Sequence, residues 1–224
     1  MRSLKFTKVD YMKNRKQCRF MLFILAIGLF FSRGENNGFL GGLVYTVYIG
    51  SIFTSTVFYD FTTHNAGFLL LLPGSVWHRV CGRFLYGIGS EVTLCIAYWL
   101  LSAVVKGNLM LPVQTLPICL MVMMFSIIMT DLQFILLYLV GEMKSQYAMS
   151  LSRVLFPMIF FAVSFGAMNI IGEEEGEGIS LMSAFDWVND HMALCGILLV
   201  GFVAAFTYIS IWISAKACYK RDYA

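Results

Sequence analysis

Two acidic residues stand where acids are rare. Glu91 and Asp131 each sit inside an apolar stretch of more than twenty residues, and neither stretch contains a lysine or arginine to pair with them. A carboxyl group at bilayer depth is costly unless it is neutralised, paired or hydrogen-bonded, so intramembrane acids mark functional sites by default. The two stretches form a hairpin that turns near Asn108. Counted back from that turn, the acids lie within four residues of the same depth, about 6 Å. If they approach each other, like charges in a low-dielectric setting cannot both stay ionised cheaply, and the pair would share a proton. The plainer reading is that each is hydrogen-bonded to Ser, Thr or backbone and stiffens the packing.

Catalytic chemistry finds little support elsewhere. There is no G-x-x-x-x-G-K-[ST], so ATP cannot be bound in the P-loop manner, and there is no H-E-x-x-H or G-x-S-x-G. An intramembrane CAAX-type protease needs a glutamate pair and histidines within spans, but Glu174 and Glu175, like His64, His78 and His191, fall in the segments between them. Cys18, Cys81, Cys95, Cys119, Cys195 and Cys218 are scattered and suggest neither a disulfide framework nor a zinc site. The glutamates of Gly172–Gly178 lack the Asp-x-Asp-x-Asp-Gly spacing of a calcium loop and read as a solvated acidic segment. The chain is expected to be no enzyme and to carry no metal or cofactor.

The elements that must position these residues follow from composition. The chain has 224 residues, 59% hydrophobic and 13% charged, with mean hydropathy +0.75. Soluble domains carry about 25% charged residues, so this is an all-α integral membrane protein. Six spans are expected: Phe20–Phe31 with snorkelling extensions, Gly38–Phe58, Phe84–Val105, Pro117–Val140, Leu151–Ile171 and Met192–Ala215. Gly38 and Gly42 have the small-xxx-small spacing that permits close helix approach. Pro112 and Pro117 mark the start of the fourth span, and Pro157 falls early in the fifth. Residues 1–19 hold seven basic groups and read as an interfacial segment in contact with lipid headgroups rather than a nucleic-acid-binding tail. Residues 20–215 form a single transmembrane domain, and 216–224 a C-terminal tail. Between spans five and six, residues 172–191 combine the acidic loop with a short helix capped by Ser180.

Six spans place both termini on one side. All sixteen lysines and arginines except Arg33 and Lys106 fall in the N-terminal tail, in 59–83, between spans four and five or early in the fifth, or in the C-terminal tail. By the positive-inside rule these segments are cytoplasmic and the acidic loop is extracellular.

The segment 59–83 is the most structured of the connections. Phe68, Leu69, Leu70, Leu71 and Leu72 form an apolar knob, Pro73 ends any helix through it, and Ser75 can cap a new helix from Val76. An apolar knob at the mouth of a membrane protein docks onto a partner or onto lipid. The sequence Asp60, Leu71-Leu72-Pro73, Ser75, then Gly82-Arg83-Phe84-Leu85 resembles the permeases of type-2 ABC exporters, with Val76 and Trp77 departing from that family's basic residues. The resemblance covers nearly the whole chain. It implies that 59–83 carries a coupling helix, with Asp60, Phe68–Leu72, Pro73, Ser75 and Arg79 as the ATPase-contacting set. It also implies a pathway formed with a second permease chain, as homo- or heterodimer, and two ATPase subunits that hold ATP and Mg. The cell membrane of a bacterium is the expected location. Amphipathic peptides, lipids and hydrophobic drugs all suit an aromatic-rich interior. The alternative is an accessory or immunity-type membrane protein that binds a partner and transports nothing; a neighbouring gene for an ABC ATPase would separate the two.

Overall fold

The computed structural model of the chain describes residues 2–33, 38–54, 75–107, 111–140, 147, 151 and 192–222. Among the described residues the architecture is wholly helical: α1 (Arg2–Lys13), α2 (Arg15–Phe31), α3 (Gly38–Thr54), α4 (Val76–Lys106), α5 (Leu111–Val140) and α6 (Met192–Asp222). Among the described residues, three stretches are long and apolar enough to cross a membrane: Val76–Lys106, Thr115–Val140 and Gly196–Lys220. α2 and α3 have 17 residues each, the short end of the range for a span. Apart from Leu151, the expected fifth span lies outside the described residues, as do residues 172–191.

Local sequence explains the helix ends. Ser75 is extended at φ −69°, ψ 152°, and its hydroxyl accepts the His78 N–H at 3.4 Å, the capping role its position after Pro73 suggests. The helix then runs without a break for 31 residues, so Arg79 and Arg83 are part of α4 itself. It stops at Gly107, whose φ of 63° places it in the left-handed region, and whose N–H returns to the Val104 carbonyl at 3.2 Å. Pro112 costs α5 nothing, because first-turn N–H groups have no intrahelical partner. Pro117, one turn further on, removes a helical bond.

Two expected boundaries move. The basic segment 1–19 is interrupted by a turn at Asn14, so Arg15 to Arg19 open α2 while α1 stands alone. The C-terminal tail is no tail as far as Asp222, because α6 continues past Ala215 with Ala215 and Cys218 buried.

α4 is the hub, packing against each of the other five described helices. At its Val76 end, Val80, Phe84, Phe134, Leu137, Tyr138 and Ile211 form one buried cluster joining α4, α5 and α6. Phe84 meets Phe134 edge-on at 5.2 Å and stacks on Tyr138 at 6.4 Å. Towards the Lys106 end a second cluster joins Leu25, Phe39, Leu43, Val47, Cys95, Tyr98 and Cys119. There α2 and α3 approach so closely that a Cβ on Gly42 would collide with the Gly28 carbonyl and the Tyr98 hydroxyl. The expected close approach at Gly42 is thus real, with Gly28 as its partner, and Tyr98 seals it by donating to the Phe39 carbonyl at 2.8 Å.

Candidate functional site

A polar layer separates the two apolar clusters. Glu91 lies at the midpoint of α4 and is fully buried. Ser126 of α5 donates to its Oε2 at 3.0 Å, and Thr54 of α3 donates to its Oε1 at 3.3 Å. Thr54 has one hydrogen and three oxygens within reach: Glu91 Oε1, the Gly50 carbonyl at 3.0 Å and the Ser90 hydroxyl at 3.0 Å. Ser90 in turn donates to the Gly87 carbonyl at 2.8 Å. Hydroxyls are therefore in excess on one side of the carboxyl, and hydrogens are not. This arrangement can hold a proton or exchange one between oxygens with little motion. It joins three helices at one depth, with Gly50 giving room for the Glu91 head against α3.

Asp131, also fully buried, belongs to a different seam. Its Oδ2 accepts from Thr207 of α6 at 2.5 Å, while Oδ1 has no hydrogen-bond partner among the described residues. Thr130 beside it is buried with its hydroxyl in the same condition. No hydrogen bond joins Asp131 to Glu91. Asp131 lies five residues along α5 from Ser126, about 7.5 Å in depth and about 140° around the helix. Ser126 therefore faces α4 while Asp131 faces α6, and the two acids are partnered separately by hydroxyls.

The Gly82-Arg83-Phe84 motif builds the other feature. α1 lies against the first turns of α4, where Thr7 donates to the Gly82 carbonyl at 3.0 Å and Ser3 meets His78 Nδ1 at 3.3 Å. A Cβ on Gly82 would stand 2.6 Å from Phe6 Cβ and 2.9 Å from the Ser3 carbonyl, so only glycine admits this contact. Arg83 is buried and hydrogen-bonds the Tyr138 hydroxyl, with Asp10 of α1 and Cys218 of α6 close to the same group. Residues of four helices thus gather around the Tyr138 hydroxyl. The inward stripe of α1 is Ser3, Phe6, Thr7 and Asp10, at helical spacing but of mixed polarity, while Leu4, Lys5, Lys8, Tyr11 and Met12 face outward. Its mixed polarity leaves no apolar periodicity in the sequence to mark it.

Of the expected ATPase-contacting residues, Ser75 caps α4 and Arg79 lies one turn into it. Asp60, Phe68, Leu69, Leu70, Leu71, Leu72 and Pro73 lie outside the described residues. Among the described residues no three His, Cys, Asp or Glu side chains are grouped to hold a metal ion.

Long apolar helices around buried, hydroxyl-bound acids define a multi-pass membrane protein. The sequence matches the family described as ABC-2 family transporter protein over residues 7–218, and the chain belongs to that family. It is accordingly a membrane permease of an ABC transporter, a component that works with an ABC ATPase. No curated protein and no solved structure matches it.

Proposed function

We propose that this chain is the permease subunit of an exporter, that two permease chains enclose the pathway, and that two ATPase subunits dock on residues 59–83. ATP and Mg are held by those subunits, and none of the chemistry of hydrolysis takes place here. Both termini and the docking segment face the cytoplasm, six spans cross the bacterial plasma membrane, and the cargo is an amphipathic peptide, a lipid or a hydrophobic drug. The observation that carries this reading is α4. It begins at Val76, four positions after Leu72 in the sequence, and reaches the Glu91 layer without a break. A displacement applied at the Val76 end of α4 would therefore be carried by one continuous helix to the centre of the bundle, as alternating access requires.

The test is Phe68→Asp and Leu70→Asp. Placing an unpaired carboxylate in an apolar groove costs several kcal/mol. Each variant should insert at wild-type levels, lose the co-purifying ATPase and lose transport. Retention of both ATPase and transport by either variant refutes the docking assignment. A wild-type chain that captures no ATPase would instead favour the accessory-protein reading.

A further inference from the structure

We propose that Cys95 and Cys119 are a reactive dithiol, a modification site at which an apolar hydroperoxide closes a disulfide between α4 and α5. The two cysteines are 24 positions apart and carry no sequence motif. The fold brings them together. Both are buried, with relative exposures of 1% and 5%, in the same cluster, with their side chains close enough to interact directly. Their register is fixed on either side. Trp99 Nε1 donates to Thr115 Oγ1 at 3.2 Å, and Ser126 Oγ donates to Glu91 Oε2 at 3.0 Å. Glu91, Cys95 and Trp99 form one i, i+4, i+8 stripe of α4, and Thr115, Cys119 and Ser126 occupy the facing stripe of α5. The pair thus lies between two interhelical hydrogen bonds that set the register of α4 against α5.

The surroundings select the oxidant. Leu25, Phe39, Leu43, Val47 and Tyr98 enclose the thiols, so an apolar reagent dissolved in the bilayer reaches them more readily than an ionic one. A lipid hydroperoxide is such a reagent. One thiol attacks the terminal peroxide oxygen and the O–O bond breaks, giving a sulfenic acid and a lipid alcohol. The second thiol then attacks the sulfenic sulfur, the S–S bond forms, and water leaves. Two thiols lose two hydrogens and two electrons, and the hydroperoxide is reduced to alcohol and water. The product ties α4 to α5 on the Lys106 side of the Glu91 layer.

The experiment uses the full-length protein in phosphatidylcholine vesicles, treated with cumene hydroperoxide, denatured, alkylated with N-ethylmaleimide and mapped by peptide mass spectrometry. The expected result is joint loss of the maleimide adducts at Cys95 and Cys119, with a linked peptide containing both that dithiothreitol resolves. Cys95→Ser and Cys119→Ser should each abolish that peptide. Should a serine variant fail to accumulate, the wild-type map decides alone. Recovery of both cysteines as maleimide adducts at the untreated level overturns the proposal. So does a linked peptide that pairs either one with Cys81 or Cys218.

Discussion

A buried carboxyl is held by the hydrogens its neighbours lend it, and at Glu91 those come from Ser126 and Thr54. Glu91→Gln keeps a group that can both accept and donate, and should leave folded yield and thermal midpoint in detergent close to wild type. Glu91→Leu leaves buried hydroxyls unsatisfied, at a cost of about 1–3 kcal/mol, and should lower both. Equal losses for the two variants would mean that the hydrogen bonds are not what holds the layer. Asp131 has a separate partner in Thr207, so the effects of Glu91→Gln and Asp131→Asn should add within about 0.5 kcal/mol in the double variant. A larger coupling would restore the proton-sharing pair. The acids themselves were legible in the sequence, because a charge within an apolar run is conspicuous. Their separation was not, since counting residues from a turn yields depth, whereas the direction a side chain faces depends on how each helix is rotated.

Single elements show the same division between what is local and what is not. Ser75 and Gly107 punctuate the chain by local chemistry alone, and α4 begins and ends where they dictate. The seating of α1 on α4 could not be read that way. It depends on Gly82 meeting Ser3 and Phe6 across 75 or more positions, and on a stripe whose Ser, Thr and Asp disguise it as surface. Gly82→Leu should release α1, because the obstructing Ser3 carbonyl is backbone and cannot turn aside. A cysteine placed at Ser3 would then react faster with a soluble maleimide. Gly89→Leu is the control: nothing lies within 4 Å of its would-be Cβ, and α1 should stay seated. If both variants behave alike, the Gly82 contact does not hold α1. Gly42→Val should be the most damaging of the glycine changes, since it drives α3 away from both Gly28 and Tyr98.

At the scale of the molecule, orientation is the property on which the coupling reading depends. Three charged or hydrogen-bonding contacts gather at one end of the bundle: Arg83 with Tyr138, Thr7 with Gly82, and Lys216 over the Trp212 ring at 5.0 Å. In the orientation proposed from the bias of lysine and arginine, this end is the cytoplasmic one. A cysteine at Gly176 should then react with an impermeant maleimide added to intact cells, and one at Asn65 only after permeabilisation. The reverse pattern would turn the molecule over and remove the leucine knob from the side that holds ATP. Composition alone made the membrane class legible, because 59% hydrophobic residues cannot be buried in a water-soluble fold of this length. The hub role of α4 was not legible, since five apolar helices offer many packings of similar merit.

That hub sets a timetable for biogenesis. Thr7 leaves the ribosome 75 residues ahead of Gly82, the backbone group it will bond. At about 5–20 residues per second, α1 waits about 4–15 s for its seat. During that interval the buried face of α1, Asp10 included, has only water, lipid headgroups or the insertion machinery to meet. α1 is therefore born as a client, dependent on whatever shelters it, and α4 is the piece whose arrival discharges it.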